Sequence, residues 1–161
     1  IFDRNNAGNL IVKQIIKLGA DGEQQCNKPQ KIIVSPSGRF LYVACSGSHN
    51  LVIFEKKDSG HFNFLEAINN SDVGGSGLEG AGSLAISSDG TQIYAAGEAG
   101  KGLYIFSVGD DGRLNFQSKL LRAGSDDLNG ISSISLTDDE QHLLLTGSKS
   151  DTLFVFKLKS S

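Results

Sequence analysis

Short runs rich in Val, Ile, Leu, Phe and Tyr alternate along this chain with clusters of Gly, Ser, Asn and Asp. The apolar runs are too short for helices that bury a face, and none sustains a period near 3.6 residues. Their β-branched and aromatic content, and the turn-forming residues that bound them, predict strands. These fall at residues 10–15, 31–35, 40–45, 51–55, 62–67, 84–87, 92–96, 102–107, 114–119, 134–137, 142–146 and 152–157, with no substantial helix. Near-continuous apolar stretches such as Leu41-Tyr42-Val43-Ala44 predict sheets covered on both faces.

The strands recur as a set. Ser35-Pro36-Ser37-Gly38, Ser87-Ser88-Asp89-Gly90 and Thr137-Asp138-Asp139-Glu140 are versions of one turn. Phe2, Phe54, Phe106 and Phe156 share one position of the repeat, and Gly8, Gly60 and Gly112 share another. A strand-rich repeat of about fifty residues is the signature of β-propeller blades, four-stranded antiparallel sheets set around an axis. The fold class is therefore all-β, with strands A (innermost) to D (outermost) in the order D-ABCD-ABCD-ABC. Residues 1–17 supply the outer strand of an incomplete blade, 30–68 and 83–120 two blades, and 133–158 strands A to C of another. Ser37-Gly38 and Asp89-Gly90 suit tight hairpin turns because Gly accepts positive φ, whereas Asp138-Asp139-Glu140 is expected to turn on Asp.

Within this repeat, Ile33-Val34-Ser35-Pro36-Ser37-Gly38-Arg39-Phe40-Leu41-Tyr42-Val43-Ala44 resembles the SPDG-x-x-LYVA unit of the seven-bladed lactonase-like propellers. Asn50 to Phe54 and Asp58-Ser59-Gly60 extend the likeness, residues 86–96 form a second copy, and residues 136–146 a weaker third. The resemblance implies the fold across most of the chain. It implies no single activity, because the same repeat occurs in phosphogluconolactonase-type enzymes, in cycloisomerases and in surface proteins without known catalysis. The enzyme branch often carries a His-Pro-His type sequence before strand A, where this chain has Asn27-Lys28-Pro29-Gln30. No catalytic residue carries over.

Ile1-Phe2 match the end of a strand C, so the chain opens on a lone strand D and closes after a strand C. Three blades are fewer than the four to eight of known propellers. The lone D strand and the last C strand are expected to present unpaired edges. Since Ile1 falls inside a repeat and there is no initiating Met, the chain is expected to be a piece of a longer polypeptide. The expected partners are the remaining blades, on another chain or a removed segment, or a second copy of the chain lending its D strand. A frayed monomer is the third outcome.

Composition narrows the rest. A net charge of −3, with no Lys/Arg run, argues against a nucleic-acid partner. No apolar stretch approaches the roughly 18 residues of a membrane span. Cys26 and Cys45 sit in register positions that can be neighbours; they either pair in a disulfide or remain two thiols, and a pair would favour a secreted, periplasmic or surface setting.

Ligands of propellers sit at the mouth formed by the D–A and B–C connections. There the candidate binding residues are Lys28, Gln30, Glu79, Glu98, Lys101, Asp126, Lys149 and Asp151. The glycine-rich segment 73–82 lacks the Gly-Lys-Ser/Thr ending of a phosphate loop and is expected to be a flexible crossing loop. Acidic pairs at Asp110-Asp111, Asp126-Asp127 and Asp138-Asp139 lack calcium-loop spacing, and His49, His61 and His142 share no face. No metal and no cofactor is expected. The favoured function is a non-catalytic binding or interaction module. The alternatives are a fragment of a lactonase-type hydrolase acting on a sugar lactone and a purely structural segment.

Overall fold

The computed structural model describes residues 1–19, 26–75, 77–124 and 126–158. Three blades follow one another. The first has β3 (Pro29–Val34), β4 (Phe40–Cys45), β5 (Asn50–Lys56) and β6 (Phe62–Asn69) in that spatial order. The second repeats this with β7 (Ala81–Ile86), β8 (Gln92–Gly97), β9 (Leu103–Val108) and β10 (Leu114–Leu120). Among the described residues the third blade has three strands, β13 (Ile131–Leu136), β14 (His142–Gly147) and β15 (Thr152–Lys157). A short hairpin of β1 (Phe2–Arg4) and β2 (Leu10–Val12) precedes them, and β11 (Arg122–Ala123) pairs with β12 (Asp126–Asp127) on the way to the third blade. All pairings are antiparallel.

The expected order of strands holds, with four differences. Each strand A starts two or three residues earlier than its apolar run suggests, because a bulge lets pairing continue past a polar residue. The opening D strand covers only Leu10–Val12 of the expected 10–15 and is not alone, since Phe2–Arg4 pair with it. The β11–β12 hairpin and a 3₁₀ turn at Asn70–Val73 were not anticipated.

In the glycine-rich crossing Ser76 lies outside the described residues, and those after it are tied to their surroundings. Leu78 is fully buried, and the Asn70 side-chain carbonyl accepts bonds from the Gly77 and Leu78 N–H groups at 3.2 and 2.6 Å. His49 Nδ1 accepts the Gly80 N–H at 3.0 Å, tying this crossing to the neighbouring B–C turn.

Alternation along the strands gives every blade two apolar faces. Tyr42, Ala44, Leu51 and Ile53 of the first blade pack on Leu84, Ile93, Ala95, Phe106 and Leu114 of the second. Tyr94, Ala96 and Leu103 of the second pack in turn on Ile134, Leu143, Leu145 and Phe154 of the third. The seam between the first two blades also carries a polar tie, since the buried Tyr42 hydroxyl donates to the Gly112 carbonyl at 3.1 Å. Gly112 has φ +79°, and a Cβ there would enter the Phe40 ring, so both the turn and the seam require glycine.

The back face of the first blade packs differently. Leu41, Val43, Val52, Phe54 and Phe62 are covered by Ile1, Ile16 and Leu18 of the N-terminal segment. Gln14 fastens that segment by accepting from the Phe62 N–H and donating to the Phe62 carbonyl, both at 2.8 Å. Beside them Cys26 and Cys45 form a disulfide with their Cα atoms 5.3 Å apart, both fully buried. The register explains its place. In the second and third blades the equivalent positions hold buried Leu78 and Gly97, and buried Leu128 and Gly147. The cross-link stands where the sister blades have a buried leucine and a glycine.

Two predictions follow from this packing. Replacing both cysteines by Ala should lower stability by about 3 kcal/mol, the entropic effect of opening a loop of this size; urea unfolding of the variant, beside the oxidised parent, measures it. The second concerns alkali. Burial, and then the nearby Asp111 charge, pushes the Tyr42 phenol up to about 12 from an ordinary value of 10.0. Below pH 10 both folded and unfolded chains keep this proton; between pH 10 and 12 the unfolded chain releases it first, so stability falls across that window. Tyr42→Phe should flatten that part of the decline in urea titrations stepped from pH 9 to 12.

Candidate functional site

The inner ends of the strands A converge at one end of the arc. In each blade strand A carries a bulge near its start, between Pro29 and Lys31, Ala81 and Ser83, and Ile131 and Ser133. The residue set aside from the ladder is Gln30, Gly82 or Ser132. A bulge re-aims the side chain it frees, and all three of these residues line one cavity of about 440 Å³.

A repeated backbone contact shapes the other wall. Lys28, Gly80 and Gly130 occupy one register position, all with left-handed φ of 51°, 67° and 67°. Their carbonyls accept from the N–H groups of Ser46, Glu98 and Ser148, at 3.0, 3.3 and 2.8 Å. This bond pins each D–A crossing to the following B–C turn and brings Ser46 and Glu98 to the cavity rim. Ser148 Oγ donates to Glu98 Oε1 at 3.4 Å, and Ser132 Oγ lies 3.0 Å from Thr146 Oγ1. Lys149 completes the wall, its stem lying over Gly130, where a Cβ would meet it within 3.0 Å.

The candidates named from sequence separate accordingly. Gln30, Glu98 and Lys149 come together in this cavity. Lys101 lines an adjoining one of about 530 Å³ with Asp127 and Ser150, and Lys149 and Ala99 border both. Lys28 contributes its carbonyl to the repeated contact, and its side chain is not among the cavity's lining residues. Glu79 sits beside Tyr104, whose phenol is raised first by burial and then by the Glu79 charge. Asp151 takes a left-handed turn position, φ 49°. Asp126 pairs with Ala123 through its backbone, and its side chain falls outside the described residues.

Residues not singled out from sequence also line the cavity. Ser46, Ser83 and Ser132 do so, the last through its bulge. Among the described residues no cluster of three or more His, Cys, Asp or Glu side chains is placed to hold a metal ion. Among the described residues no helix is long and apolar enough to cross a membrane. The acidic turns serve geometry: Asp89 Oδ1 accepts from Ser87 Oγ and the Thr91 N–H, and Asp139 Oδ1 accepts from Thr137 Oγ1 and the Gln141 N–H. Those bonds hold both carboxyls below the usual range, the hydroxyl bond foremost.

The sequence matches no protein-family model and no curated protein. Solved structures match the fold. A protein from Lactobacillus plantarum superposes with a TM-score of 0.79 at 19% identity, covering 98% of this chain and 44% of that one. A putative 6-phosphogluconolactonase from Bacteroides uniformis gives 0.76 at 20% identity, covering 98% and 43%. The periplasmic gluconolactonase of Pseudomonas aeruginosa gives 0.67 at 24% identity, covering 81% and 36%. The chain therefore spans less than half the length of these neighbours. In fold it is a three-blade arc of a β-propeller, similar to these structures.

Proposed function

We propose that this arc is a non-catalytic binding module that holds a small polar ligand at its mouth, within a propeller completed by further blades. The single observation that carries this reading is the cavity bounded by Gln30, Ser46, Ser132, Glu98 and Lys149. Its lining offers amide and hydroxyl donors and acceptors, one carboxylate and one ammonium. Such a set suits a polyhydroxylated ligand, which needs many directional partners and little apolar surface.

Hydrolysis of a lactone would ask more of these groups. Water must be activated by a base and the developing oxyanion stabilised by preorganised donors. Glu98 is the cavity's carboxylate, and the contact it makes is with the Ser148 hydroxyl. Lys149 is its cation, exposed at the rim. A lactonase fragment is the second reading, favoured by the names its structural neighbours carry, with Glu98 as base and Lys149 facing the oxyanion. The disulfide supports an oxidising compartment for either reading.

Titration with sugar acids, sugar lactones and polyols, followed by amide chemical shifts, tests the proposal. Shifts should concentrate at residues 30, 46, 98, 132 and 149. Lys149→Ala and Glu98→Gln should each weaken binding about tenfold, as for loss of a charged hydrogen-bond partner. Lactone hydrolysis above the spontaneous rate that Glu98→Gln abolishes would overturn binding alone and establish the hydrolase. A ligand that shifts none of these residues would remove the mouth as the site.

A further inference from the structure

The cavity at the mouth does not end at Lys149. Lys149 and Ala99 are also walls of the adjoining cavity of about 530 Å³, between the second and third blades. No strand A residue lines this second cavity, whereas Thr152 of strand C does, so it lies on the rim side of the first. Its walls are the B–C turn of the second blade, the crossing into the third, and the B–C turn of the third, all internal to the arc.

Local structure places two lysines there. Lys101 forms an isolated antiparallel bridge with Asn129, which ties the second blade's turn to the crossing. The stem of Lys149 is held over Gly130, which has φ +67° and no Cβ to meet it. In the preceding seam the same two positions carry no such pair of cations. His49 stands where Lys101 does, its ring accepting the Gly80 N–H, and Ala99 lies over Gly80 as Lys149 does over Gly130.

Charge divides the joined cavities. Arg122 Nε lies 2.7 Å from Asp127 Oδ1, so the carboxylate of the outer cavity is already neutralised. Among the described residues Lys101 and Lys149 form no ion pair. The inner cavity holds the Glu98 carboxylate instead. An anion is therefore repelled at the inner end and attracted at the outer one, where two ammonium groups share a wall. The Ser150 and Thr152 hydroxyls donate to the Gly147 and Ser150 carbonyls, which leaves their oxygens to accept from sugar hydroxyls.

We propose that the mouth binds an acidic oligosaccharide across both cavities. A neutral sugar unit lies at Gln30, Ser46 and Glu98, and the carboxylate of a uronate unit lies between Lys101 and Lys149. This rests on the polyol site proposed at the mouth and extends it by a second unit. Each cavity is by itself within the roughly 300–1,000 Å³ of ordinary ligand sites, so one sugar unit leaves the other cavity empty. The shared wall at Lys149 and Ala99 lets one linked ligand fill both.

Cellobiose and cellobiouronic acid, a glucuronosyl-glucose, share one skeleton and differ in a hydroxymethyl group against a carboxylate. Titrating both, followed by amide chemical shifts, isolates the charge. The acid should bind about tenfold more tightly, as for one charged hydrogen bond. It should shift residues 101, 129 and 150 together with 30, 46, 98 and 132. Raising NaCl from about 50 to about 500 mM should erase most of the difference, because both lysines are exposed. Lys101→Gln should bring the two affinities together, and Lys101→Arg should keep them apart. Equal affinities in the parent chain, or a preference that survives Lys101→Gln, overturn the anionic subsite and leave the polyol reading standing. Glucose 6-phosphate binding as tightly as the disaccharide acid overturns the two-unit ligand. Shifts at 101, 129 and 150 with none at 30, 46, 98 and 132 would remove the polyol site, and the joined ligand with it.

Discussion

Burial of both faces of each blade is the constraint on which this structure rests. A sheet that is apolar on one side can leave its other side in water, but these sheets are apolar on both. A blade alone would expose Tyr42, Leu51 and Ile53 on one side and Leu41, Val43 and Val52 on the other, each aliphatic side chain worth about 1.5–3 kcal/mol when buried. Stability therefore comes from stacking, as in other repeat architectures, and the interior seams are nearly dry while the end faces are not. The N-terminal segment covers only part of one end, over Phe54 and Phe62, and leaves Ile32 and Val34 exposed.

The same constraint decides where polar chemistry can reside. Faces committed to packing accept no ligand, so variation is confined to turns and crossings. At the mouth, equivalent positions carry different groups on an unchanged backbone: Gln30, Gly82 and Ser132 at the bulge, then Ser46, Glu98 and Ser148, then Gly47, Ala99 and Lys149. The carbonyl-to-amide bond that recurs in all three blades keeps the frame constant while these side chains change. At the other end of the blades, Asp89, Asp111 and Asp139 repeat one role, each accepting the backbone N–H two residues on. Constant turns on one side and varied ones on the other are what a scaffold with a single binding end requires.

Most of this architecture was legible from residues. Runs such as Leu41 to Ala44 and Ile93 to Ala96 announce two-faced strands, and the spacing of Phe54, Phe106 and Phe156 announces the blades. The bulges were not legible, because a polar residue before an apolar run reads as loop; Gln30 and Ser132 reach the cavity only through that irregularity. Segment 73–82 reads as loose from its glycines, whereas Gly77 and Leu78 are bonded to the Asn70 carboxamide and Gly80 to His49 of the neighbouring B–C turn. The disulfide did leave a trace. Cys26 and Cys45 fall where the sister blades carry a buried leucine, Leu78 or Leu128, and a glycine, Gly97 or Gly147. Asp151, by contrast, is a charged residue at the mouth in sequence, but it serves a left-handed turn.

The mouth and the open ends are coupled through one strand. β3 carries Gln30 at its bulge and Ile32 and Val34 on the face turned away from the second blade. A neighbour packed on Ile32 and Val34 immobilises the strand that positions Gln30. In the second blade the corresponding strand is held on both sides, and its bulge residue is a glycine that contributes backbone rather than side chain. The binding proposed at Gln30 would thus depend on how the exposed face of this strand is packed. A polar site built from turns is only as well defined as the seams beneath it, and here one of those seams is an end face.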